Sequence, residues 1–241
     1  MAYRVHNHIV DVAGSPTHTS SRRLPTCTSH SGEAVMVERE EKWTPAGRCS
    51  LVAADIVGFG EQHRNRQVQT YLRDSLYKLI GDALQKSGVE LDACYSEDRG
   101  DGFVIAVRPD IPTERLIHPF VEYVRAGLRL HNMVSSDLAQ MRLRVALHGT
   151  EAWTDTHGLV GDGVIHLFRL LDASEFKQLV RRSGAYLAMI ASEAIYDGII
   201  RHAPDLIDPD DYVGITVENK EMSGTGWVRL VGRTNSVSQP A

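Results

Sequence analysis

From Cys49 onward the chain alternates between short apolar runs and longer stretches with helical periodicity. CSLVAADIVGF is an apolar run that ends at glycines, the pattern of a buried strand. In the following segment Val68, Leu72, Leu76, Leu79, Ile80, Ala83 and Leu84 recur at intervals of three and four, which predicts an amphipathic helix stopped at Gly88. ELDACYSE and FVIAV read as strands joined by a DRGDG hairpin turn. Pro109 and Pro112 break the chain, and a second helix is expected over 113–134, with Ile117, Phe120, Val121, Val124, Leu128 and His131 on one face. MRLRVALHGTEAW alternates as a strand does, and GDGVIHLFRLLDASEFKQLV predicts a third helix with a break near Ser174. YLAMIAS is a short buried strand, and SEAIYDGIIRHA is a helix capped by Ser192 and ended ahead of Pro204. YVGITVEN and GWVRLV close the chain as a hairpin. This order predicts an α+β domain, with helices packed on a mainly antiparallel sheet.

Residues 1–47 look different. They are rich in Ser, Thr and His without a sustained apolar period, and read as a disordered or loosely attached extension. His6, His8, His18 and His30 lack the spacing of a metal site. Met36 offers a second start. The folded domain is placed at 48–232, followed by a C-terminal tail over 233–241.

A net charge of −5 leaves no broad basic field for nucleic acid or an anionic membrane, so an anionic ligand needs a metal or a few placed cations. The apolar runs are too short to span a bilayer and no signal peptide opens the chain. Cys27, Cys49 and Cys94 are odd in number and widely spaced, as reduced thiols in a cytoplasmic protein would be.

Two aspartates carry the candidate chemistry. Asp55 ends the first strand, and Asp101 lies in the hairpin turn between Gly100 and Gly102. If the two strands are neighbours, both carboxylates sit at adjacent strand ends, as a divalent cation bridging to phosphates requires. Val57, Gly58, Phe59 and Gly60 then lead toward a helix start, where backbone N–H groups can approach phosphate oxygens. On the third helix Val164, Leu167, Phe168 and Leu171 form an apolar stripe, whereas Asp162, His166 and Arg169 share another face.

Taken together, ADIVGF, RGDGFVIAV, LRVALHGTEAW and GDGVIHLFRLLD resemble, in order, four motifs of the class III nucleotide cyclase catalytic domain, over about 49–232. The resemblance implies a ferredoxin-like βαββαβ core and a lyase that closes a nucleoside triphosphate to a 3′,5′-cyclic nucleotide, releasing pyrophosphate. It implies two divalent ions, Mg²⁺ or Mn²⁺, at Asp55, Ile56 and Asp101. One would acidify the ribose 3′-hydroxyl and the other would hold the β- and γ-phosphates. Arg169 matches the transition-state arginine and Lys220 the phosphate-binding lysine. The family geometry implies a homodimer whose subunits share each active site.

The sequence also departs from the family. Ile165 stands where the helix usually carries Asn, and the adjacent His166 is the candidate substitute. The base-reading positions are Glu97, where adenylate cyclases carry Lys, and Gly158, with Arg99 on the same side of the strand as Glu97. Arg99 can donate to a carbonyl-rich base edge, which ranks UTP first and GTP second. The resemblance extends to the short pyrimidine cyclases of bacterial anti-phage systems, and so to a second messenger in antiviral defence. The alternative is a degenerate nucleotide-binding or partner-binding module without turnover. A cyclic dinucleotide synthase is a third possibility, disfavoured because no GGDEF-like run is present.

Overall fold

The computed structural model describes residues 42–202, 207–219 and 222–233. Residues 1–41 of the expected extension, with Cys27 and Met36, lie outside the described residues, as do Lys220 and the tail from 234.

Among the described residues eight strands form one sheet: β1 (Ala46–Ile56), β2 (Cys94–Asp98), β3 (Gly102–Val107), β4 (Leu143–Asp155), β5 (Gly158–Val160), β6 (Ala185–Ser192), β7 (Tyr212–Asn219) and β8 (Met222–Arg233). Their order is β2-β3-β1-β4-β6-β8-β7, with β5 hairpinned onto β4. Every pairing is antiparallel except β4 with β6, which makes the sheet mixed but mainly antiparallel, as expected.

The helices are α1 (Arg66–Lys86), α2 (Glu114–Ile117), α3 (Phe120–Val134), α4 (Asp162–Asp172), α5 (Ser174–Ser183) and α6 (Glu193–Gly198). Asn65 opens α1 by accepting from the Val68 N–H, and Gly88, at φ 71°, follows its end. Ser192 caps α6 in the same way by accepting from Ile195. The helix expected over 113–134 is two helices, divided at His118 and Pro119, because a proline ring cannot continue the hydrogen-bond ladder of the first. The break expected near Ser174 falls at Ala173. β1 starts at Ala46, ahead of its apolar run, because Ala46–Arg48 pair with Glu151–Trp153 of β4. The short strand β5 carries no apolar alternation and was not expected.

Strand alternation divides the core between the two faces of the sheet. On one face Val52, Ala54, Ile56, Phe103, Val145 and Leu147 pack against α1 and α3 through Leu72, Leu76, Phe120 and Leu128. On the other, Leu51, Ala53, Val104, Ala106, Ala146 and Ala188 pack against α4 and α5 through Leu167, Leu170 and Phe176. Asp55 continues the odd-numbered row of β1 and therefore faces α4. Cys49 and Cys94 are free and buried, and burial pushes each thiol up to about 11. Among the described residues no helix is long and apolar enough to cross a membrane.

Candidate active site

The register of β1 against β3 sets Asp55 opposite Gly102, and the Ile56 N–H donates to the Asp101 carbonyl at 3.0 Å. The two aspartates predicted from sequence therefore lie at adjacent strand ends. Gly102 is required there: a Cβ at this position would overlap the Ala54 carbonyl oxygen. The turn itself is held from α1. Arg73 donates to the Gly100 carbonyl at 2.9 Å and pairs with Asp98, whose carboxylate accepts the Gly100 N–H at 2.7 Å. Asp101 is left exposed at the tip.

Asp55 is buried, and its carboxylate is engaged by a residue of β4. Arg144, directly opposite in the register, donates Nε to Oδ1 at 2.8 Å and Nη2 to Oδ2 at 2.6 Å. Burial pushes the Asp55 carboxyl above the usual carboxylate range. Arg144 opposes that shift, and the negative charges of Asp101 and Asp172 reinforce it.

The loop after β1 turns tightly. Val57 donates its N–H to the Arg142 carbonyl and Phe59 to the Ile56 carbonyl, so two of the four expected phosphate-facing amides are committed within the chain. Gly58, at φ 70°, and Gly60 lie between and beyond them. Residues 61–65 separate this loop from α1, so it does not itself open the helix.

A cavity of about 460 Å³ lies over β4 against α4, lined by His148, Thr150, Asp162, Ile165, His166 and Arg169. The face shared by Asp162, His166 and Arg169 is the one the helical spacing predicts. α4 sits close because Gly163 faces the Thr150 side chain with no room for a Cβ. The His148 and His166 rings lie 4.5 Å apart, and His148 Nδ1 is 2.9 Å from the Ser192 hydroxyl. Burial lowers the His148 pKa to about 4, and burial with the Arg169 charge lowers that of His166. Both rings are therefore neutral at pH 7. Ile165 is half exposed, at 51%, on the cavity rim.

Glu97, Arg99 and Gly158 also converge. Glu97 Oε1 accepts the Leu159 N–H of β5, and Oε2 accepts from Arg99 Nη2 at 2.7 Å. Gly158, at φ 120°, lies beneath this reach, and a Cβ there would overlap Glu97 Oε1. The Arg99 guanidinium lies over the Phe168 ring of α4, 5.1 Å from its centroid. Through the pairings Glu97–Val104–Ala53–Ala146, this cluster sits on the α4 face of the sheet. Lys220 lies outside the described residues.

The architecture matches solved structures. A guanylyl cyclase, Cya2, aligns with a TM-score of 0.55 at 14% identity, covering 83% of this chain and 99% of that one. An adenylate/guanylate cyclase/hydrolase from Silicibacter pomeroyi aligns at 0.54 and 14%, covering 78% and 98%. The dimeric guanylyl cyclase domain of a fusion protein from the fungus Blastocladiella emersonii aligns at 0.51 and 15%, again covering 78% and 98%. The chain has the fold of a nucleotide cyclase catalytic domain. No protein-family model and no curated protein matches its sequence.

Within this cyclase fold Asp55, Asp101 and the Ile56 carbonyl offer the oxygen donors a hard divalent cation takes, although in this structure both Asp55 oxygens accept from Arg144 and the Ile56 carbonyl accepts the Phe59 N–H. Among the described residues no group of three or more His, Cys, Asp or Glu side chains forms a metal cluster, so such a cation would rely on backbone oxygen and ligand phosphates as well. Sequence reasoning missed Arg144, Phe168 and His148 as site residues. Arg144 left a signal: it alternates with Ala146 and His148 on the face that strand periodicity turns toward a helix, where an unpaired charge is costly. Phe168 was assigned to an apolar stripe, and nothing in its spacing shows that a cation rests on its ring.

Proposed function

We propose that this protein is a metal-dependent nucleotide cyclase that converts a nucleoside triphosphate to a 3′,5′-cyclic nucleotide and pyrophosphate. The observation that carries the reading is the meeting of Asp55 and Asp101 at neighbouring strand ends, on a sheet whose α4 face also holds Arg169, His166, Glu97 and Arg99. Two divalent cations, Mg²⁺ or Mn²⁺, bound by Asp55, Asp101 and the Ile56 carbonyl would acidify the ribose 3′-hydroxyl and offset triphosphate charge. The 3′-oxygen bonds to the α-phosphorus, the bond from that phosphorus to the pyrophosphate oxygen breaks, and the hydroxyl proton leaves to solvent. Arg169 places a fixed positive charge where the α-phosphoryl and leaving oxygens gain negative charge. His166, neutral and beside Arg169, is a hydrogen-bonding group at the ribose that Ile165 cannot be.

The base pocket favours UTP, then GTP. Both Glu97 oxygens are already engaged, so the remaining N–H donors of Arg99 are the polar edge offered to a base. Uracil presents two carbonyl acceptors around one N–H. Guanine presents donors at N1 and N2 that call for a free carboxylate. The product would act as a second messenger, and the likeness to anti-phage pyrimidine cyclases extends the proposal to antiviral defence. The active unit is a homodimer, each site using the aspartates of one subunit and Arg169 of the other.

The test is incubation with ATP, GTP, CTP and UTP separately, with Mn²⁺ and product identification by mass. Cyclic UMP and pyrophosphate are expected, with no product from Asp101→Asn. Full activity in that variant sinks the two-cation assignment. Exposed Ile165 on the cavity rim favours a second reading, a nucleotide-binding module without turnover. That reading gives metal-dependent thermal stabilisation by a triphosphate and no product over long incubation.

A further inference from the structure

The Asp55–Arg144 pair sets a condition on how the site fills. Both oxygens of Asp55 accept from one guanidinium, and the two side chains are 11% and 14% exposed, so neither partner is free to rehydrate fully. A divalent cation joining Asp55 while Arg144 stays would bring three positive charges onto one carboxylate in a poorly screened place. If Arg144 instead withdraws, a desolvated guanidinium loses the Asp55 carboxylate and needs another anion. A triphosphate is an anion that enters at this position under the proposed function, and guanidinium geometry matches phosphate oxygens as well as carboxylate oxygens.

We propose that Arg144 is an internal counter-ion of Asp55, holding divalent-cation affinity low until a triphosphate draws the guanidinium away, so that cation and triphosphate load together. The inference rests on the cyclase reading of the site. Arg144 acts here as a positioning residue: it occupies Asp55 in the empty protein and transfers its charge to the incoming phosphates. Other charges facing the pair are Asp101 and Asp172, both negative, so the pocket without Arg144 would attract cations more strongly.

The test uses the full chain and two probes without a base, which keeps it independent of nucleotide preference. Mn²⁺ alone is titrated by electron paramagnetic resonance of the free ion, and inorganic tripolyphosphate is titrated by calorimetry in excess Mn²⁺. Arg144→Leu is expected to bind Mn²⁺ alone about tenfold tighter than wild type and tripolyphosphate about tenfold more weakly. Arg144→Lys, which keeps the charge but loses the two-pronged contact, should shift both constants the same way by less and guards against misfolding of the leucine variant. Opposite signs matter, because a merely structural role would weaken both ligands. Mn²⁺ affinity unchanged or reduced in both variants, with cooperative melting intact, overturns the inference while leaving the cyclase reading standing. If even wild type with tripolyphosphate binds no Mn²⁺, the two-cation reading falls and the inference falls with it.

Discussion

The guanidinium of Arg99 is held from two directions: its Nη2 donates to Glu97 Oε2 at 2.7 Å, and its Cζ lies over the Phe168 ring, 5.1 Å from the centroid. An arginine this constrained loses little side-chain freedom when it meets a base, so its donors act from a set position. The cation–π contact links the β2–β3 turn to α4, the helix that also carries Arg169. Under the proposed function, base recognition and transition-state charge would meet at this helix. Replacing Arg99 by Leu should cut UTP turnover at low substrate by about tenfold or more, the cost of one lost charge-assisted hydrogen bond. Phe168→Leu should lose less, since Glu97 still holds the guanidinium. Steady-state kinetics checks both: a raised KM with kcat little changed marks a base-binding role, and equal KM values in wild type and Arg99→Leu would remove Arg99 from the pocket.

Gly158 tests the same cluster from below. Its φ of 120° is strained for any other residue, and a Cβ would strike Glu97 Oε1. Gly158→Ala should displace the Glu97 carboxylate from the Leu159 N–H, free Arg99 to move, and broaden nucleotide choice. The stability loss should be roughly 1–2 kcal/mol, from backbone strain and one hydrogen bond. Chemical denaturation measures that loss, and product analysis over the four triphosphates measures the choice. An unchanged preference for one base would detach Gly158 from selectivity.

Much of this molecule was legible before any coordinates. Period-two and period-3.6 patterns located most strands and the long α1, because those elements bury one continuous face. Asp55 and Asp101 could be paired because a glycine-flanked aspartate in a hairpin and an aspartate at a strand end come together whenever the strands are neighbours. What stayed hidden depends on register. Nothing in the sequence says that Arg144 stands opposite Asp55 rather than opposite Ala53, and a one-residue slip would turn it to the other face. β5 escaped because three residues leave too short a hydrophobic signature to read. The apolar stripe continues on both sides of Pro119, so periodicity alone predicts one helix over 113–134 where there are two.

His148 gives the domain an acid sensitivity with a definite sign. Its pKa falls from about 6.5 unfolded to about 4 folded because burial disfavours the imidazolium and the His166 ring lies against it. Above pH 6.5 both states are neutral and the ring adds no pH dependence. Between about 6.5 and 4 the unfolded chain takes up a proton that the folded chain refuses, so stability falls as the solution is acidified. Thermal melting from pH 7.5 to 4.5 should show this loss. His148→Asn, which can keep a hydrogen bond to Ser192 without titrating, should flatten the lower part of the curve. An identical pH profile in the variant would assign the acid sensitivity to other groups.

The proposed homodimer, with the aspartates of one subunit facing Arg169 of the other, makes a direct prediction. Along β4, Arg144 marks the Asp55 end and His148 lines the cavity that Arg169 also lines, four residues of strand or roughly 13 Å away, while Asp172, three residues after Arg169 on α4, acts electrostatically on Asp55. Under the proposed function, a twofold partner that runs in the opposite sense would bring the aspartates of one chain against Arg169 of the other. Asp101→Asn and Arg169→Ala should each abolish cyclisation when pure. Mixed one to one and allowed to exchange, half of the dimers should be heterodimers, each holding one site with both residues intact and one site with neither. Activity should return to about a quarter of wild type. Differently tagged protomers captured together establish that exchange took place. Heterodimers present in that amount and still inactive would mean that Asp101 and Arg169 act within the same chain.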